Sequence, residues 1–179
     1  GSRLVGSEMC IRDSYKAEKL VNWDTVLKTA ISDLEVDQRE MNSKIYYIKY
    51  PIDKSSEFIT IATTRPETML GDTAIAVNPK DKRYKNFVGK TVTIPIVGRK
   101  IKIIKDNYAD PEQGTGALKI TPAHDFNDYD VGQRNKLAII NVFTEEGKIN
   151  DNAPKDYVGL DRFDARKKIL NELKEKDYF

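Results

Sequence analysis

"EFITIATTRPE", residues 57–67, sets Ile59, Ile61 and Thr63 against Phe58, Thr60 and Ala62 before Pro66 interrupts it. A period of two marks a strand with one buried face, because successive side chains leave a strand on opposite sides. Proline ends such a run, since it has no N–H to give a ladder. The stretch predicts a sheet strand running into an irregular turn. There Thr63, Thr64, Arg65 and Thr68 sit among hydroxyls and amides that a polar ligand can use.

Working outward, the chain repeats this texture. "SKIYYIKYPID" (43–53) reads as a strand closed by Pro51, and "TAIAVNP" (73–79) as another. "KTVTIPIVGRKIKIIKD" (90–106) is a hairpin-like pair turning near Gly98, and "GALKITP" (116–122) is one more strand. These predict a β-rich α+β core. Helical signal is confined to two places. In "LDRFDARKKILNELKEK" (160–176), Ala165, Ile169 and Leu173 recur at i, i+4 and i+8, with Asp161 and Asp164 at the start, where acids suit the helix dipole. This helix is expected to lie across the sheet as a lid. "PAHDFNDYDVGQRNKL" (122–137) predicts the second, with Pro122 near its first turn.

A chain of 179 residues with 39% hydrophobic and 32% charged side chains can fold as one domain. A net charge of +2 excludes neither an anionic nor a neutral partner. The basic residues Lys80, Lys82, Arg83, Lys85 and Lys90, then Arg99, Lys100, Lys102 and Lys105, offer phosphate contacts, although such residues more often form a solvated face. One cysteine, Cys10, and one histidine, His124, exclude an internal disulfide framework and a Cys/His zinc site. With no membrane-length apolar run, a reducing, cytoplasmic setting fits best. "GSRLVGSEMCIRDS" has no periodicity, so residues 1–14 read as a non-native leader and 15–179 as the domain.

Chemistry concentrates in "LKITPAHDFNDYDVG" (118–132). Asp125 and Asp128, three apart at a helix entrance, share a face and make a receptor for an ammonium group. Lys119 and Thr121, two apart on the preceding strand, also share a face. The plainer reading is that the aspartates cap the helix and Lys119 pairs with one of them. His124 suggests a base, but no serine or cysteine is placed to be its nucleophile, and it reads more readily as a structural hydrogen-bonder. Asp125, Asp128 and His124 match no recognised metal spacing. Gly114 and Gly116 add a tight turn where backbone can come close to a ligand. Three polar clusters at strand edges therefore point to a pocket that orients a polar substrate for attack by water.

"ATTRPETMLGDTAIAVNP" (62–79), "GTGALKITPAHDFNDYDVG" (114–132) and "GLDRFDAR" (159–166), in that order, resemble the editing domain inserted in the valyl-tRNA synthetase family. "LVNWDTVLKTAISDLEV" (20–36) resembles the segment leading into it. The resemblance implies a β-barrel-like domain with a few peripheral helices that hydrolyses threonine wrongly attached to the valine tRNA. The physical need is that an apolar pocket cannot strongly reject a substrate that merely swaps a methyl for a hydroxyl, a limit of which the valyl enzymes are themselves an established example.

By the same resemblance, Asp128 binds the substrate ammonium, while Lys119, Thr121 and Asp125 read the threonine hydroxyl or order the water. Arg65 and Thr68 complete the polar pocket, Thr63 and Thr64 line it around the terminal adenosine, and His124 stands beside them. It implies no protein nucleophile, metal or cofactor, with the tRNA's own ribose hydroxyl assisting. Its partners are the mis-acylated tRNA 3′ end and the remainder of a parent synthetase. Gln113 departs from an aromatic residue frequent in relatives, and Asn135 from a frequent histidine. The HIGH and KMSKS motifs of amino-acid activation are absent. Rival readings are leucyl or isoleucyl editing specificity, a non-catalytic tRNA-binding module, and a general β-rich esterase.

Overall fold

The computed structural model describes residues 19–37 and 43–179; the leader expected over 1–14 lies outside them. Strands β1 (Asn22–Asp24) and β2 (Thr29–Ile31) form a short antiparallel hairpin. Strands β3 (Tyr46–Pro51) and β4 (Phe58–Thr63) pair antiparallel, setting Ile48 opposite Ile61 and Tyr50 opposite Ile59. The alternation in β4 is used as the sequence implied. Ile59, Ile61 and Thr63 are buried and Phe58 is exposed.

A third sheet holds β5 (Ala74–Val77), β6 (Thr91–Thr93), β7 (Lys100–Lys105) and β8 (Ala117–Ile120) in the order β6-β7-β5-β8. β6 and β7 form the expected antiparallel pair, with Gly98 at φ 73° in its turn. β5 runs parallel to β7 and antiparallel to β8. All four β5 residues are buried, but its two faces differ. Ile75 and Val77 join the main core, whereas Ala74 and Ala76 pack with Ile120 and Val131 in a smaller cluster. Small residues on that face let the helix bearing Val131 approach closely.

The sheets are linked through the Ile52–Val92 bridge and an Asp53 N–H bond to the Thr91 carbonyl at 2.8 Å. β4 packs on β8 but shares no ladder with it. The described residues therefore form a mixed α+β fold without a closed barrel. β8 spans only four residues before Pro122, which has no N–H to extend a ladder.

Two α-helices complete the described residues: α1 (Phe126–Asn135) and α2 (Arg162–Glu175). α1 starts later than expected. Asp125 accepts from the Asn127 and Asp128 N–H groups and so serves as the N-cap, and His124 N–H bonds the Thr121 carbonyl in the turn before it. Pro122 instead packs against α1, where a Cβ on Gly132 would lie 2.8 Å from its ring. α2 is not a lid. It packs on the 3-10 turn Pro66–Gly71, with Ala165, Ile169 and Leu173 fully buried in the main core. No helix of the described residues is long and apolar enough to cross a membrane.

Candidate functional site

The turn after β4, the end of β8 and the start of α1 converge on a cleft of about 660 Å³. Thr63, Thr64, Arg65, Thr68, Lys119, Thr121, His124, Asp125 and Asp128 all line it, so residues far apart in sequence meet in one place. Gly114 and Gly116 line it too, but their close approaches are to protein. A Cβ on Gly114 would come 2.9 Å from that of Ala62, and one on Gly116 2.5 Å from the Arg83 guanidinium.

The "TTRPET" turn is held by its own polar groups. Thr63 Oγ1 accepts from Arg65 N–H at 3.1 Å, and Thr68 Oγ1 donates to the Arg65 carbonyl at 2.9 Å. Arg65 Nη1 reaches the His124 carbonyl at 3.0 Å and so ties this turn to the strand-to-helix turn. Behind it, Glu67 is 2% exposed and takes a two-pronged bond from Arg166 of α2, with both contacts at 2.7 Å. Helix α2 therefore clamps the turn through Glu67, which does not line the cleft.

Lys119 does not pair with Asp125 or Asp128. Its Nζ lies 3.1 Å from Asp72 Oδ1 and donates to Thr121 Oγ1 at 2.5 Å, while that hydroxyl donates to the same Asp72 oxygen at 2.5 Å. Tyr50 donates to Asp72 Oδ2 at 2.7 Å. Burial pushes the Asp72 carboxyl up, opposed first by Lys119 and then by the Thr121 and Tyr50 hydrogen bonds. Asp72 is the member of this group that residue-type reasoning missed. It stands 47 residues from Lys119, and no local pattern links the two.

Asp128 is buried, with Oδ2 accepting from Thr121 N–H at 2.9 Å. Burial raises its carboxyl to about 6, partly offset by the Thr121 hydrogen bond and by Lys119. Such a carboxylate gains most from a cation that replaces its lost hydration. Asp125 is exposed at the rim, with Oδ1 committed to capping α1.

His124 faces away from base chemistry. Its Nε2 accepts from Val142 N–H at 3.0 Å, and its ring meets Phe143 edge-on with centroids 4.6 Å apart. Burial, then the Arg65 and Lys119 charges, hold it down to about 3, so it stays neutral. Among the described residues no group of three His, Cys, Asp or Glu side chains is gathered to hold a metal ion.

Gln113 lies exposed on the cleft lining, and Tyr108, 40% exposed, supplies an aromatic side chain there. Sequence reasoning passed over Tyr108. Asp106 anchors its loop: it accepts from Tyr108 N–H at 2.9 Å, from Arg134 at 2.8 and 2.7 Å, and from Asn135 at 2.8 Å. Asn135 thus works as a donor that joins the end of α1 to the Tyr108 loop. Four of the nine basic residues named from the sequence are held by protein groups. Arg83 binds Asp81, Lys90 lies near Glu57, Lys100 binds Asp53, and Arg99 bonds the Leu70 and Asp72 carbonyls.

Residues 81–161 match the family described as leucyl-tRNA synthetase, editing domain. The chain is 81% identical over 165 residues to a valine–tRNA ligase of Pelagibacter ubique (strain HTCC1062), covering 92% of this chain and 19% of that protein. It is 54% identical over 164 residues to the valine–tRNA ligase of Thermotoga maritima, again at 92% and 19% coverage. The chain thus spans about a fifth of the length of these relatives.

Among solved structures, the fold resembles the LeuRS of Agrobacterium radiobacter K84 in its ternary complex with tRNA and LeuAMS. The TM-score is 0.61 at 22% identity, over 76% of this chain and 19% of that one. It also resembles GlLeuRS-CP1, with TM-score 0.59 and 12% identity, over 75% of this chain and 97% of that one. At these identities the likeness is one of fold.

Proposed function

We propose, for a chain that belongs to the editing-domain region of the valine–tRNA ligase family, that its cleft hydrolyses threonine esterified to the 3′ end of the valine tRNA. The observation that carries this reading is the meeting, in one cleft, of a buried carboxylate at Asp128 and a hydrogen-bonded ammonium and hydroxyl at Lys119 and Thr121. A threonyl ester presents an ammonium and a hydroxyl within a few bonds of each other, and these groups match both features.

In this reading Asp128 receives the ammonium, which repays its desolvation. Lys119 and Thr121 take the side-chain hydroxyl, Arg65 and Thr68 shape the polar wall, and Asp125 at the rim orders water. Thr63 and Thr64 line the adenosine side, where Tyr108 offers the stacking face that Gln113 does not. Water adds to the ester carbonyl carbon, the bond from that carbon to the ribose oxygen breaks, and a proton passes to the ribose oxygen. Free threonine and an intact tRNA 3′ end result.

The committed hydroxyls of Thr68 and Thr121 and the occupied Nε2 of His124 support water, assisted by the neighbouring ribose hydroxyl, as the attacking group. Rate then comes from positioning and fixed charge. Valine is spared because its methyl would leave the remaining Lys119 donor and Thr121 acceptor without a partner. The partners are the mis-acylated tRNA end and the rest of a parent synthetase, in the cytoplasm. The test is release of threonine from threonylated valine tRNA by the purified chain beside valylated tRNA. Release of threonine alone is the expected outcome, and cleavage of neither ester, or of both equally, defeats the proposal.

A further inference from the structure

Asp72 is fully buried and does not line the cleft, yet the two side chains on its Oδ1, Lys119 and Thr121, both do. Its other oxygen accepts from Tyr50, a core side chain with no exposure. Its backbone is held as well: the N–H bonds the Met69 carbonyl at 3.2 Å, and its carbonyl accepts from Arg99 Nη2 at 2.9 Å. Asp72 closes the 3-10 turn of "TTRPET" while holding the end of β8, so it joins two of the clusters that form the cleft.

The consequence follows from counting protons. A hydroxyl has one, and that of Thr121 is committed to Asp72. With Lys119 donating to the same Thr121 oxygen, the hydroxyl has only acceptor capacity left for the cleft. Lys119 has three N–H groups, of which Asp72 and Thr121 take two, leaving one donor. The pair therefore offers one donor and one acceptor, the complement of a ligand hydroxyl, which both accepts and donates. A methyl group satisfies neither. Without the Asp72 charge, Lys119 loses its counter-ion and the Thr121 proton is free to turn toward the cleft.

We infer that Asp72 is a positioning residue that sets the hydrogen-bond polarity of Lys119 and Thr121 and thereby determines specificity for a substrate side-chain hydroxyl, an inference resting on the editing function proposed above. An ion pair serving stability alone can often be exchanged for well-packed apolar groups. Here such an exchange would remove the readers themselves.

The test measures kcat/KM for threonylated and valylated valine tRNA with the wild-type chain, Asp72→Asn and Tyr50→Phe, with Lys119→Met alone and combined with Asp72→Asn. Asn keeps the shape and one acceptor and can turn its amide toward the Tyr50 oxygen. Tyr50→Phe loosens Asp72 without removing its charge. The threonyl-to-valyl ratio is expected to fall at least about tenfold in Asp72→Asn and less in Tyr50→Phe. Adding Asp72→Asn to Lys119→Met should lower the ratio by less than Asp72→Asn does alone, because only the Thr121 half of the effect is left to lose.

General loosening would lower both esters together and leave the ratio unmoved. An Asp72→Asn chain that melts like wild type and keeps its ratio overturns the inference while the editing function stands. If that variant does not fold, an unchanged ratio in Tyr50→Phe overturns it. A wild-type chain that does not prefer the threonyl ester overturns the editing function and this inference together.

Discussion

Asp128 Oδ2 accepts the backbone N–H of Thr121 at 2.9 Å, so the carboxylate at the start of α1 is held by the residue that follows β8, the strand that carries Lys119. One bond fixes the distance between the cleft's buried anion and the Lys119–Thr121 pair.

Asp128→Asn keeps an acceptor for that N–H and removes the charge. Threonine release should fall about 100-fold or more, the scale for losing one preorganised electrostatic contact, while the circular dichroism spectrum is unchanged. Because burial raises Asp128 from 3.8 to about 6, the folded chain holds a proton that the unfolded chain has already lost in that interval. Its contribution to stability therefore falls as pH rises from about 4 to 6, while the ionised form, to which the proposal assigns ammonium binding, increases. Deacylation should rise through pH about 6, and the Asn variant should lack that limb. A wild-type profile flat from pH 5 to 7 counts against Asp128 as the ammonium receptor.

His124 gives an unusually clean spectroscopic test, since it is the only histidine in the chain. Held down to about 3 by burial and nearby cations, its ring should show no NMR titration between pH 5 and 8. The sign for stability is opposite to that of Asp128. The unfolded chain takes a proton near pH 6.5 that the folded chain refuses, so His124 costs stability as pH falls from there toward 3. A midpoint near 6.5 in the folded protein would refute the buried, neutral role.

Arg166→Met leaves the Glu67 carboxylate buried, with Arg65 Nε at 3.8 Å as its remaining cation. Breaking one side of a buried pair costs about 3–5 kcal/mol, and the weak Arg65 contact sets the expectation at the lower end. Urea denaturation measures it. Glu67→Gln added to Arg166→Met should recover part of the loss, and an undiminished loss in the double variant would rule out a stranded charge as the cause.

Asp106 is drawn down to about 2, first by its hydrogen bonds with Arg134. A depressed carboxylate contributes stability above its unfolded value of 3.8, and that contribution disappears as pH falls toward 2. Arg134→Met should cost about 1–3 kcal/mol at neutral pH and shrink the loss between pH 4 and 2. By loosening the Tyr108 loop it should also raise KM for acylated tRNA more than it lowers kcat. A KM unchanged in a folded variant would separate Tyr108 from substrate binding.

How much was legible depended on the distance over which each force acts. The strand at 58–63 and the helix at 162–175 were readable because side-chain periodicity is a local property of the backbone. The positions lining the cleft could be named from "TTRPET" and "LKITPAHDFND", because those stretches gather polar side chains beside strand ends. The start of α1 was misjudged because Pro122 and Asp125 both suit a helix entrance. The Asp125 bonds to Asn127 and Asp128 N–H make it the cap.

By itself, the amino-acid sequence determined where the chain extends, turns and coils, and which polar groups were available for a site. Which group answers which was decided only by the tertiary structure. Lys119 was expected to face Asp125 or Asp128, a few residues away, and instead lies against Asp72, brought there by the β5–β8 pairing that sets Ala74 opposite Ile120. A buried charge is paired by whatever opposite charge the packed sheet brings within about 3 Å, and sequence separation does not enter that balance.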